Sequence, residues 1–185
     1  MKKVAVVFKS TYGHTKKYAE WISEELNADL LNGLKVKPQT LDKYDIIIYG
    51  GGLYATGING ASLLSDNFEK LKKKKLVIFA VGIEENLSEA EYTKVLTHNF
   101  SLIMQRDLKV FYLRGGINYK KLSVMHKIIM SNQKKLIEQK QEKTKQDELY
   151  LKTYGVNIDF TEKKNIQPVV DYVKSLQLQE EEIKA

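Results

Sequence analysis

The chain has 185 residues, enough for one domain whose sheet is covered on both faces. With 43% hydrophobic and 29% charged residues it is ordinary for a globular protein, and its lack of cysteine excludes disulfides, thiolate catalysis, thiolate zinc and cysteine-ligated iron–sulfur clusters. Thirty Lys and Arg against 23 Asp and Glu give a net charge of +7, which suits an acidic partner; with no nucleic-acid motif or aromatic-interleaved basic repeat, no nucleic-acid partner is expected.

Met1-Lys2-Lys3 leads straight into an apolar run, a poor match to a signal peptide, and no segment is apolar for long enough to span a bilayer. A cytoplasmic protein, at most peripheral at the inner face of a membrane, is the expectation.

Val4–Phe8 reads as the first strand. Lys9-Ser10-Thr11-Tyr12-Gly13-His14-Thr15 follows, and Thr15, Tyr18, Ala19, Ile22 and Leu26 then mark one face of a helix. A strand, hydroxyl residues around a glycine and a helix start together build an anion cradle: unpaired N–H groups and the positive end of the helix dipole face the loop. A short second strand is expected at Asp29–Asn32 and a third at Asp45–Tyr49, stopped by Gly50-Gly51-Gly52. A helix over Ala61–Leu71 carries Leu63, Leu64, Phe68 and Leu71 on one face, and Lys70 to Lys75 read as a solvated turn. Leu76–Val81 is the fourth strand, ended by Gly82. Ser88 and Glu91 have capping-box spacing and open a helix to about Met104, before a fifth strand at Lys109–Leu113 ended by Gly115-Gly116.

From Tyr119 to Lys145 the chain is lysine-rich and helical in character, with Leu122, Met125, Ile128, Ile129, Leu136 and Ile137 as an apolar stripe. The alternating segment Tyr154–Phe160 reads as a strand, a last helix runs from about Asn165 to Leu176 with Pro168 in its first turn, and Gln179–Ala185 reads as a frayed tail. Continuous apolar strands separated by helices predict an α/β fold, a doubly wound five-stranded parallel sheet in one domain over residues 1–178, with a basic helical insertion at about 119–150 near the last strand. The glycine-bearing loops after Phe8, Tyr49 and Val81 then share the carboxyl ends of the strands, where such sheets bind ligands.

The first loop has neither the Gly-Lys-Ser/Thr ending of a triphosphate loop nor the three spaced glycines of a dinucleotide fingerprint. It resembles the phosphate loop of the flavodoxin-like flavoproteins, Thr/Ser-x-Thr-Gly-x-Thr: Ser10, Gly13 and Thr15 match, and Tyr12 stands in place of the central Thr. That resemblance implies strand order 2-1-3-4-5 and FMN as cofactor, with its phosphate at Ser10, Thr11, Tyr12, Gly13, His14 and Thr15. Gly51, Gly52, Leu53, Tyr54, Ala55 and Thr56 would border the flavin ring, with Tyr54 as the stacking aromatic. Gly82, Ile83, Glu84, Glu85 and Asn86 would approach its other side, the two glutamates facing solvent because inward carboxylates would oppose an anionic reduced flavin.

The first loop, Gly51-Gly52-Leu53-Tyr54-Ala55, Leu113-Arg114-Gly115-Gly116-Ile117-Asn118-Tyr119 and the basic helix after it are similar to the menaquinone-dependent protoporphyrinogen dehydrogenases. The resemblance implies an FMN-dependent oxidoreductase that passes electrons from a porphyrinogen-like donor to a quinone; the alternative is a flavodoxin-type electron carrier. No catalytic side chain is implied, since the flavin carries the redox chemistry. His98 and His126 lack metal-ligand spacing, so no metal site is expected. For the basic insertion three roles stand open: a solvated helix packed on the domain, a substrate lid whose Arg114, Lys120 and Lys121 attract carboxylates, or an anchor on an anionic membrane.

Overall fold

The computed structural model describes residues 2–178. Five parallel strands, β1 (Val4–Lys9), β2 (Asp29–Asn32), β3 (Ile46–Tyr54), β5 (Lys75–Gly82) and β6 (Leu108–Arg114), lie in the order β2-β1-β3-β5-β6, and the short β4 (Gly57–Ile58) turns back antiparallel on β3. The expected order is thus the observed one.

Alternation along the central strands divides the core between two faces. Val4, Val6 and Phe8 of β1 point to the side covered by α1 (His14–Leu26) and α8 (Gln167–Leu178), where Tyr18, Ile22, Val169, Val170 and Val173 are fully buried. Ala5 and Val7 point to the other, covered by α2 (Ser62–Ser65), α3 (Phe68–Leu71), α4 (Glu89–Asn99) and α5 (Leu102–Asp107). Both sides being packed, the strands are apolar throughout rather than alternating.

Four expectations about elements need correction. Gly50–Gly52 do not stop the third strand, which continues to Tyr54. The glycines are accommodated as strand residues because neighbours fill their side-chain space: the Phe79 ring lies against Gly50, and Ile58 and Asn59 against Gly51. The helix expected over 61–71 is split into α2 and α3, with the Asn67 amide donating to the Leu63 carbonyl at 3.0 Å, a local bond that competes with helix continuation. The helix from Ser88 has its capping box but ends at Asn99; Phe100 turns extended to bury its ring, and Ser101 caps α5. Finally, of Tyr154–Phe160 only β8 (Ile158–Asp159) pairs, antiparallel to β7 (Gly116–Ile117).

The insertion therefore leaves and re-enters through the β7–β8 ribbon. It holds α6 (Val124–Glu138) and α7 (Lys145–Thr153), separated by the break at 139–144. Most of its predicted stripe stays open: Ile137 is buried and Leu122 half-buried, but Met125, Ile128, Ile129 and Leu136 are exposed. A one-turn 3-10 segment (Lys163–Ile166) precedes α8, which carries Pro168 in its first turn. The expected tail at 179–185 lies outside the described residues.

Candidate functional site

Strand β1 ends in a loop whose geometry follows from Gly13, the residue before α1. Its φ of 103° is a left-handed conformation that a side chain would strain, and a Cβ there would meet nothing within 4 Å, so conformation rather than space selects glycine. The Ser10 hydroxyl accepts from the Gly13 N–H at 3.1 Å, folding the loop back, and no side chain caps α1. The helix start thus presents its first-turn N–H groups, with the buried Thr15 beside them. Thr11 accepts from the Asn59 amide at 3.2 Å, tying this loop to the chain after β4.

A cavity of about 390 Å³ opens at the carboxyl ends of β1, β3 and β5. Ser10, Thr11, Tyr12, His14 and Thr15 line one side; Gly52, Leu53, Tyr54 and Ala55 another; Val81, Gly82 and Ile83 a third. The three loops singled out in the sequence do converge, and the volume is within the ordinary range for a small-molecule site. Of the remaining predicted residues, Gly13 lines an adjoining cleft with Lys17 and Asp159. Gly51 is buried between β1 and β5, and the Thr56 carbonyl accepts from Asn99 at 2.7 Å. Glu85 and Asn86 line a separate cleft with Arg114, Phe160 and Lys164.

Glu84 does not line the cavity. It is half-buried, and burial first, then the nearby Glu91, push its carboxyl above the usual range against the opposing pull of Arg114. Its backbone carbonyl accepts from Tyr112 at 2.9 Å, which draws the loop back against β6. Arg114 does not line the cavity but a separate cleft: its guanidinium stands 3.8 Å over the Phe160 ring, and its Nε–H reaches the Ile83 carbonyl at 3.4 Å. Lys120 and Lys121 are exposed.

His14 lies at the junction of the cavity and the ribbon. Burial pushes its pKa below the usual imidazole range; Asp159, 3.9 Å away, opposes that and Lys17 adds to it. Asp159 is in turn matched by the Lys17 ammonium at 3.1 Å.

The insertion does line the cavity, but not through Arg114, Lys120 or Lys121. Leu122, His126, Ile129 and Met130 form one wall, with Gly116 and Ile117 of β7 beside them. His126 shares a hydrogen bond of 2.5 Å between its Nδ1 and the Tyr12 hydroxyl, lies 3.1 Å from the Ser123 hydroxyl, and stacks on Tyr54 with centroids 5.2 Å apart and planes at 10°. The expected stacking aromatic is therefore present, but its ring is in contact with an imidazole of the same chain. No motif linked residue 126 to residue 12; Tyr12 standing where the loop pattern carries threonine was the available signal.

The flavodoxin domain family model matches residues 5–147, most of the chain and all of this site's loops. The chain belongs to the flavodoxin domain family. Among relatives, this flavodoxin-domain chain is 29% identical over 128 residues to an uncharacterised protein of Methanocaldococcus jannaschii, covering 63% of this chain and 85% of that one. Among solved structures it is similar to oxidised flavodoxin 2 of Bacillus cereus (20% identity, TM-score 0.46, covering 60% of this chain and 84% of the other). It is also similar to a flavoprotein in complex with FMN from Lactobacillus acidophilus (16% identity, TM-score 0.39, covering 62% and 93%). Among the described residues no group of acidic or histidine side chains could hold a metal ion, and no helix is long and apolar enough to cross a membrane.

Proposed function

We propose that this flavodoxin-domain protein binds FMN and acts as an oxidoreductase on a small molecule, with a quinone or similar compound as acceptor and a porphyrinogen-like compound as donor class. The observation that carries the cofactor assignment is the uncapped start of α1, wrapped by Ser10–Thr15, at one end of an apolar cavity walled by two glycine-containing strand ends. The residues fit the group. First-turn N–H groups and the Ser10, Thr11 and Thr15 hydroxyls suit a phosphate, while the backbones of Gly52–Ala55 and Gly82–Ile83 suit the borders of a flat ring. When bound, FMN would supply hydride or single-electron chemistry; the chain's task is to bind, orient and shield it.

The insertion favours a small-molecule substrate over a protein redox partner. Leu122, His126, Ile129 and Met130 stand along the cavity, and the β7–β8 ribbon tethers the insertion beside its mouth, so a docking protein meets the insertion before it meets the cofactor. A small flat acceptor needs only the cavity mouth. Absorbance of the purified protein, with FMN added if it is colourless, tests the cofactor: a bound-flavin spectrum supports it and failure to take up FMN refutes it. Turnover with a quinone against exchange with a redox protein then separates oxidoreductase from carrier.

A second observation bears on location. Val124, Met125, Ile128 and Leu136 give α6 an exposed apolar face, and residues 119–145 hold eight lysines against two glutamates. That pairing favours peripheral contact with an anionic lipid surface.

A further inference from the structure

Tyr54 is 37% exposed, and the rest of its ring is covered from two sides. Its phenol end lies over Gly52, where a Cβ would come within 3.1 Å of the ring, and one face is stacked on His126. A flat ring placed between Tyr54 and His126 needs roughly 7 Å, two van der Waals contacts of about 3.5 Å each, but the centroids are 5.2 Å apart. His126 is also held from the side: Tyr12 meets it through the 2.5 Å hydrogen bond and edge-on, with ring centroids 5.8 Å apart. The Ser123 N–H reaches the same Tyr12 hydroxyl at 3.4 Å, so the first turn of α6 is tied to the phosphate loop as well.

We propose that His126 is an intramolecular latch, occupying the Tyr54 face that a flavin ring would take, so that docking of α6 and binding of FMN compete. This rests on the FMN reading above. Linkage then requires each to weaken the other: a docked α6 lowers FMN affinity, and FMN drives α6 away from the two loops. The β7–β8 ribbon is the fixed base from which the helix departs, and α6 remains packed on α7 through the Tyr150 hydroxyl, which donates to the Met130 carbonyl at 3.0 Å. The moving unit is the helix pair, and the latch is a positioning device rather than part of the chemistry.

The test is FMN titration together with amide hydrogen exchange on the full chain and its His126→Ala variant, with Met125→Ala, on the exposed face, as control. Loss of one aromatic stack and one hydrogen bond predicts FMN binding about tenfold tighter in His126→Ala. Exchange in 123–138 rises in that variant without FMN, and FMN raises it in the wild type but no further in the variant. Tyr12→Phe, which removes the hydrogen bond and keeps the ring, gives a gain in the same direction and of about threefold; it carries the test if His126→Ala fails to fold. Equal or weaker FMN binding in both variants, or FMN-induced protection of α6, overturns the latch and leaves the FMN assignment standing. If no protein binds FMN, that assignment falls and the competition falls with it; unchanged α6 exchange in His126→Ala overturns the latch even where FMN binds.

Discussion

Phe79 of β5 lies across Gly50 of β3 with its ring in the space a side chain on Gly50 would fill. Both are buried, in the middle of the sheet and two pairs below Gly52 and Val81, which wall the cavity. Gly50→Ala must therefore displace a ring packed in the core, not the free end of a flexible chain. The expected cost is about 1–3 kcal/mol of stability, read as a lower urea midpoint with unchanged slope. Trimming the ring as well, in Gly50→Ala with Phe79→Leu, should recover part of the loss.

The same pair explains what the sequence did and did not disclose. Parallel order, the three converging loops and the Ser88–Glu91 cap were all legible because each rests on a local pattern: an apolar run, a glycine after it, or residues three apart. Whether Gly50–Gly52 end a strand or extend it depends on Phe79, Ile58 and Asn59, residues that only the folded sheet brings alongside. Likewise the helical spacing of Met125, Ile128 and Ile129 was readable, but which face of α6 meets the domain was decided by His126 meeting Tyr12 and Tyr54. Periodicity gives the stripe and not its partner.

Gly13→Ala separates conformation from space. Because φ is 103° and no atom would touch the new Cβ, the penalty is backbone strain, on the order of 1–3 kcal/mol, taken up where the loop turns into α1. If the chain relaxes toward ordinary φ, the first-turn N–H groups turn away from the cavity. FMN affinity should then fall tenfold or more, with the sheet intact by circular dichroism; an unchanged affinity would remove Gly13 from the anion cradle.

Glu84 gives a pH dependence of known sign. Burial raises its carboxyl pKa in the folded protein, so the unfolded chain loses that proton first as pH rises, and the group disfavours the folded state above the carboxylate range. Glu84→Gln should therefore raise the melting temperature at pH 7. The gain should vanish as pH falls through the folded value to below the unfolded one, where the wild-type side chain is protonated in both states. A lower melting temperature at pH 7 would mean the charge is needed, most simply by Arg114.

Asp147 carries the opposite sign. The Lys140 ammonium donates to both of its oxygens at 2.8 and 2.9 Å, and the Thr144 N–H adds a third bond at 2.9 Å; together these hold the carboxyl below its usual 3.8. The contribution to stability is full above pH 3.8 and is lost as pH falls through the lower folded value. The bonds close the turn between α6 and α7, so acid should loosen this hairpin first. Amide signals of 140–153 should lose protection at higher pH than those of the sheet, and Lys140→Met should bring that loss to neutral pH.

The exposed face of α6 provides the last prediction. Val124 and Met125 are 75% and 70% exposed, large apolar side chains that a solvated helix has no reason to concentrate, and Lys121, Lys127 and Lys135 lie on the same segment. Each lysine near an anionic lipid surface contributes about 1 kcal/mol, and the apolar face adds burial at the headgroup boundary. Vesicles containing anionic lipid should therefore retain the protein at low salt and release it at high salt, while neutral vesicles retain little at either. Val124→Asp with Ile128→Asp puts charge on the apolar face without touching His126, Ile129 or Met130. Vesicle retention should fall at least tenfold while FMN binding stays as in the wild type. Retention by the double variant equal to that of the wild type would show that the lysines act without the apolar face, and absence of retention at any salt concentration would exclude a lipid role for this helix.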